Sequence, residues 1–389
     1  LLLIVVLRKF KTTKQLKETD SPLFPFTIFS ALVLQKYTVV IEKKLAEGGF
    51  AIIYLVVDKN NRQYALKRQF ISDDQRQLEA CKRECCISCL QGHKNIVRYV
   101  DHLISRSRSG IYEYSLLTVY YKSSVLQLMN ERLMSGRCLS AKEILSIFCD
   151  MCEAVARLHH SQTPVIHRDL KVENILIDDS DPLSPPKYVL CDFGSATTKV
   201  LSLETHSRQF IEDEILRYTT LSYRAPEMID IYAGRPIGTK SDIWAMGVLL
   251  YKLCYFTLPF GESSLAIQNC SYAFPNEPEY PDELRAIIKL LLQPDIDKRP
   301  DIYQVCCLAF EAAGRTAHAG NLNVMVFQVF GEVLLSNKLG ISCLICLSLQ
   351  KVRRIPLSEA LQLLRNDTSS VFPTLQQGIS KSEAKAVSS

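Results

Sequence analysis

The sequence holds no uninterrupted apolar run long enough to cross a bilayer, which takes about 20 residues. Residues 1–7 are apolar but far too short, and the apolar region 322–349 is broken by Glu332 and Lys338, charges that are costly at a bilayer centre. A transmembrane segment is therefore not expected, which leaves at most packing against a membrane surface. There is no basic stripe with interleaved aromatics either. Lys and Arg total 46 against 41 Asp and Glu, a net charge of +5, so nucleic acid is not an expected partner and only a mild attraction to acidic surfaces is implied. Internal repeats are lacking, which excludes solenoids and propellers. With no secretory cleavage pattern, the 14 Cys read as reduced thiols of a cytosolic protein, not as a disulfide framework. Cys86/Cys89, Cys149/Cys152 and Cys343/Cys346 have C-x-x-C spacing but no second ligand pair at zinc-site spacing, so small core residues are the plainer reading.

What is present fits an ordinary globular protein: 47% hydrophobic and 22% charged residues. At 389 residues the chain exceeds one hydrophobic core, so a two-lobed domain with flanks, or two small domains, is expected. Residues 37–45, 52–57 and 63–70 are β-rich runs separated by Gly48-Gly49 and by 58–61, which predicts a small antiparallel sheet. A helix is expected over 73–90, entered through an acidic first turn. The spacing of Ile144, Ile147, Phe148, Met151, Val155 and Leu158 predicts a long buried helix, and similar signals recur at 242–256 and 282–292. A β-rich front thus precedes a helix-rich back.

The chemistry lies in short motifs along this frame. Between the first two strands, residues 45–53 read Leu-Ala-Glu-Gly-Gly-Phe-Ala-Ile-Ile, a loop able to cover phosphates with backbone N–H groups, although Ala46 and Ala51 stand where Gly is usual. Lys67 ends a Tyr-Ala-Leu-Lys run on the third strand, matching the pattern whose ammonium contacts the α- and β-phosphates of ATP. Glu84, in the following helix, is placed to hold that ammonium by a charge-assisted bond.

Residues 167–174, His-Arg-Asp-Leu-Lys-Val-Glu-Asn, match the phosphotransfer loop H-R-D-L-x-x-x-N at every fixed position. Asp169 can accept and orient the attacking hydroxyl, Asn174 can coordinate Mg²⁺, and Lys171 can neutralise the γ-phosphate. Asp192-Phe193-Gly194 leaves a strand end, where the Asp carboxylate can bind the same class of ion. Ala225-Pro226-Glu227 closes the segment that follows, and Glu227 is expected to form a buried pair with Arg299. Thr220 lies where a hydroxyl bridges the Asp and Lys of the loop, with simple loop packing as the alternative. Asp242, before the sole Trp, Trp244, is expected to anchor the loop backbone, the Trp being core.

With these residues in hand, the chain resembles the Numb-associated kinases, the group of the adaptor-associated and cyclin-G-associated kinases. LAEGGFA at 45–51, VLCDFGSAT at 189–197, YTTLSYRAPEM at 218–228 and YKLCYFTLPFGE at 251–262 carry the likeness, which covers about 34–311. It implies an α+β bilobal protein kinase fold: an N-lobe over 34–121 with helix C, a mainly helical C-lobe over 122–311, and extensions at 1–33 and 312–389. It implies Ser/Thr phosphorylation with ATP and Mg²⁺, protein substrates such as clathrin adaptor medium chains, and a cytoplasmic site of action at clathrin-coated pits with peripheral membrane association. The adenine would be walled by Leu45, Ile53, Ala65 and Leu176, with Thr118 as gatekeeper and a hinge from Val119 through Tyr120 to Tyr121, while Ala46 and Gly48 of the phosphate loop and Lys67 would also bind the nucleotide. Cys191 resembles the group's own Cys and reads as packing or as a target for electrophiles. An extra helix is expected within 228–238, and activity without an upstream kinase.

Glu212, Asp213 and Glu214 could replace an activating phosphate by pairing with Arg168, or could form a solvated charge run. Departures from the group are Cys85, Cys86 and Cys89 in helix C, Ser123-Ser124 after the hinge, and a 312–389 segment without the Gln/Pro-rich tail or its endocytic motifs. The rival readings are a pseudokinase scaffold and a kinase of small molecules.

Overall fold

The computed structural model describes residues 31–48, 51–72, 74–88, 92–107 and 110–315, the side chains of 86–88 excepted. Gly49 and Phe50 of the phosphate loop, the Cys86/Cys89 and Cys343/Cys346 pairs, the apolar runs 1–7 and 322–349, and nearly all of both extensions lie outside the described residues. Two compact units are present, the chain passing between them at Val125/Leu126, Glu173/Asn174 and Thr197/Thr198.

The first unit is built on an antiparallel sheet of β1 (Ala31–Val33), β2 (Thr38–Glu47), β3 (Ile52–Asp58), β4 (Gln63–Ile71), β5 (Tyr99–Arg106) and β6 (Tyr112–Val119), in the order β1-β2-β3-β4-β6-β5. The three expected strands are there; β1, β5 and β6 are additions that the sequence pattern did not signal. On β4 the period-2 alternation separates two faces. Tyr64 and Leu66 pack with Val39, Ile41, Val56 and Leu117 on one side. On the other, Ile71 packs with Tyr114 and Leu116 under Leu78, Cys81 and Cys85 of helix α1 (Gln75–Ser88).

That helix begins two residues later than expected, so its acidic entry acts as a cap: the Asp74 carboxylate accepts the Gln77 N–H at 3.0 Å. A second small sheet joins β7 (Ser123–Ser124), β8 (Ile175–Asp178) and β9 (Lys187–Leu190). The buried Asn95 ties the same unit to β9 by donating to the Tyr188 carbonyl at 2.9 Å.

The second unit is helical: α2 (Val125–Met134), α3 (Ala141–His159), α4 (Arg208–Tyr218), α5 (Pro226–Ile229), α6 (Thr239–Tyr255), α7 (Ser264–Gln268), α8 (Asp282–Leu291) and α9 (Ile302–Ala312). Ser140 and Glu143 form a reciprocal capping box at the start of α3, whose apolar face is the one its spacing predicted. Cys149 of α3 bonds the Ala309 carbonyl of α9, and Cys306 of α9 bonds that of Cys152, so this C-x-x-C pair packs helix against helix. Gly247 lets α6 approach α8 and the residue after it: a Cβ there would lie 2.8 Å from Leu291 Cβ and Leu292 Cδ2.

The extra helix expected within 228–238 is not there. After α5 comes only a three-residue 3-10 turn, Ile231–Ala233, opened by Asp230 accepting the Tyr232 N–H and stopped by Gly234 at φ 68°. The additional helix is instead α4, ahead of Thr220, capped by Ser207 and anchored by Ile211 and Ile215 against Leu201, Met228 and Ile237. The Glu212-Asp213-Glu214 run lies on this helix. Among the described residues no helix is long and apolar enough to cross a membrane.

Candidate active site

In the first unit, Lys67 projects from β4 and its ammonium lies 2.8 Å from both Glu84 Oε1 of α1 and Asp192 Oδ1. Glu84 is buried, whereas Asp192 is 46% exposed, so the pair offers one fixed and one accessible carboxylate. Burial alone would push the Lys67 ammonium down; the charges of Asp192 and Glu84 outweigh it and hold it well above its ordinary value. Burial likewise raises Glu84, and Lys67 only partly opposes it. The ammonium therefore stays charged, as phosphate binding requires.

Asp192 takes φ 62°, a conformation that costs a non-glycine residue roughly 1–3 kcal/mol. The neighbouring Phe193 is buried. Beyond it, Gly194 lets the Lys67 ammonium and the Asp192 carboxylate come close to the backbone: a Cβ there would sit 3.3 Å from Lys67 Nζ and 3.4 Å from Asp192 Oδ1. Asn174 ends the 3-10 turn Val172–Asn174, and its carbonyl accepts the Cys191 N–H at 3.0 Å, which ties it to the strand end that leads to Asp192. An accessible Asp carboxylate and an Asn carboxamide are oxygen donors of the kind that Mg²⁺ takes. Among the described residues there is no group of three or more His, Cys, Asp or Glu that would suggest another metal.

Cross-strand register brings several of the expected adenine residues to one face. Ile53 pairs with Lys67, Ala65 with Leu55 and Thr118, and Ala46 with Ile53. Leu45 occupies a bulge between Lys44 and Ala46, and Gly48 closes its turn by donating to the Ala51 carbonyl at 2.8 Å. Leu176 lies on the second sheet, opposite Val189. Of the hinge, Val119 commits its N–H to the Arg98 carbonyl at 3.0 Å; Tyr120 and Tyr121 follow, half-buried. Burial raises the Tyr121 phenol, and the charge of Asp178 adds to it.

In the second unit, Thr220 joins the two charged residues of the loop. Its hydroxyl donates to Asp169 Oδ1 at 2.7 Å and accepts from Lys171 Nζ at 3.1 Å, while Lys171 reaches Asp169 Oδ2 at 2.7 Å. The loop hangs on Asp242 of α6, whose carboxylate accepts the N–H of His167 at 2.7 Å and of Arg168 at 2.8 Å. These bonds hold Arg168 at φ 69°. His159, which the sequence did not single out, reaches the same carboxylate with Nε2 at 2.9 Å. Burial would raise the Asp242 carboxyl, but the His159 bond and charge and the His167 amide outweigh it and hold it below the usual range.

The Arg168 guanidinium meets Glu214 of α4 at 2.7 Å and lies 4.6 Å from the Tyr218 ring centroid. Of the acidic run, Glu214 is thus the residue placed against Arg168, while Glu212 pairs with Arg208 on its own helix. Glu227 and Arg299 form a bidentate buried pair at 2.7 and 3.0 Å, with Arg299 over Trp244.

A protein kinase domain model matches residues 39–310. The chain is 54% identical over 286 residues to the serine/threonine-protein kinase sel-5 of Caenorhabditis elegans, covering 73% of this chain and 26% of that protein. It is 40% identical over 288 residues to the serine/threonine-protein kinase ppk30 of Schizosaccharomyces pombe, covering 72% and 29%. To the actin-regulating kinase PRK1 of Saccharomyces cerevisiae it is 37% identical over 273 residues, covering 68% and 33%. The chain thus spans about a quarter to a third of the length of these relatives.

Proposed function

The chain belongs to the protein kinase family, in its Numb-associated branch, and from that premise we propose that it transfers the γ-phosphoryl group of ATP to Ser or Thr of protein substrates. The observation that carries this reading is the Lys67 ammonium held 2.8 Å from each of Glu84 and Asp192, whose charges keep it protonated against the opposing effect of burial. In this role Lys67 binds and orients the phosphates, and Asp169 accepts the proton of the attacking hydroxyl. Lys171, fixed by Thr220, offsets charge on the transferred group. Asp192 and Asn174 would hold Mg²⁺, which when bound neutralises phosphate charge. Glu214 stands where an activating phosphate would pair with Arg168, and its carboxylate would take over that role.

The physiological assignment goes further: phosphorylation of clathrin adaptor medium chains, in the cytoplasm at clathrin-coated pits. Its support is the likeness of the four motif stretches to the Numb-associated group. Purified protein, labelled ATP, Mg²⁺ and an adaptor medium-chain fragment test both levels, beside Asp169→Asn and Asp192→Asn. Transfer to the fragment on Thr, absent in both variants, is expected. Nucleotide binding without transfer to any protein would instead identify a scaffold.

A further inference from the structure

Four residues beyond Asp169 the same loop carries Glu173, a quarter-exposed carboxylate. Lys252, in the last turn of α6, reaches its Oε1 at 2.7 Å and is itself 15% exposed. Oε2 is buried and meets no donor among the described residues. Lys252 is thus the side chain that balances this charge. The ammonium also lies 5.9 Å from the centroid of the buried Tyr223 ring. Tyr223 donates its N–H to the Thr220 carbonyl, and the Thr220 hydroxyl touches Asp169. Glu173, Lys252 and Tyr223 therefore adjoin, through one residue, the carboxylate that would receive the substrate hydroxyl.

Alone, Glu173 would present a negative charge to a polypeptide held for transfer and would favour a basic side chain. Paired, the site is neutral, and the cation behind it repels a second cation. We infer that Lys252 is a specificity-determining residue, which by neutralising Glu173 excludes basic side chains from one position flanking the acceptor and admits neutral ones. The inference rests on the kinase reading and adds to it the charge class of the substrate.

The test uses the full chain and synthetic Thr peptides carrying Ala, Arg or Glu at one position at a time, from three residues before the acceptor to three after. At one position the unmodified protein is expected to favour Ala over Arg by roughly tenfold in kcat/KM, and Lys252→Glu to invert that order through the peptide KM, with the ATP KM unmoved. Because two adjacent carboxylates can cost folding, the swap Lys252→Glu/Glu173→Lys restores the pair and is expected to restore the preference for Ala. An Arg/Ala ratio unchanged at every position in Lys252→Glu overturns the role of Lys252 and leaves the kinase reading standing. No transfer to any peptide or protein by the unmodified chain overturns both.

Discussion

At the scale of single residues, the phosphate-binding set tolerates little change because each member constrains another. Lys67→Met leaves Glu84 buried without its cation and is expected to abolish transfer; labelled-ATP assays and nucleotide-dependent thermal shift check it. Gly194→Ala puts a methyl 3.3 Å from Lys67 Nζ, so the ammonium must shift by a few tenths of an ångström. The expected result is a several-fold rise in ATP KM with little change in melting temperature. Thr220→Ala removes the bridge between Asp169 and Lys171 and is expected to lower kcat by about 10²-fold, on the scale of general-base contributions, with Thr220→Ser retaining much of the rate. That Lys67 meets Glu84 and that Thr220 bridges Asp169 and Lys171 was legible in the sequence, because the motifs set those side chains at fixed spacing. His159, Glu173 and Lys252 were not. Their roles depend on which helix ends meet the loop, and no local pattern records that.

At the scale of elements, α4 is where sequence reading and structure part. A stretch with three consecutive acids gave no apolar period strong enough to mark a helix, yet Ser207 caps it and Ile211 and Ile215 bury its inner face. Strands β5 and β6 were missed for a related reason: their mixed sequences are explained only by their partners across the sheet. The helix makes a differential prediction. Glu214→Ala is expected to free Arg168, loosen α4 towards limited proteolysis and reduce kcat about tenfold. Glu212→Ala removes an exposed, solvent-screened i,i+4 pair with Arg208 and is expected to leave kcat near that of the unmodified protein.

The loop's suspension from α6 gives a pH dependence. A carboxyl depressed on folding contributes stability that is complete above its unfolded value, 3.8 for Asp242, and is lost as pH falls through the lower folded value. Asp242→Asn is therefore expected to flatten the acid limb of stability against pH while lowering stability at neutral pH, as followed by denaturant titration.

At the scale of the whole molecule, the division into a β-rich and a helical unit followed from the change of hydrophobic period along the chain, from two residues to between three and four. Its exact seams did not, because 174–197 returns to the first unit through β8 and β9, and a linear scan cannot see a strand join a sheet laid down earlier. Within the helical unit, stability is concentrated where helices touch without room to spare. Gly247→Ala is expected to cost about 1–3 kcal/mol by overpacking α6 against Leu291 and Leu292. Glu227→Gln, which leaves Arg299 without its buried countercharge, is expected to cost about 3–5 kcal/mol. Both are read as lowered melting temperatures.

The contact between Glu214 and Arg168 reaches beyond the fold. A glutamate, unlike a phosphate ester, cannot be hydrolysed from the chain, so this one tether is permanent where a phosphate would be reversible.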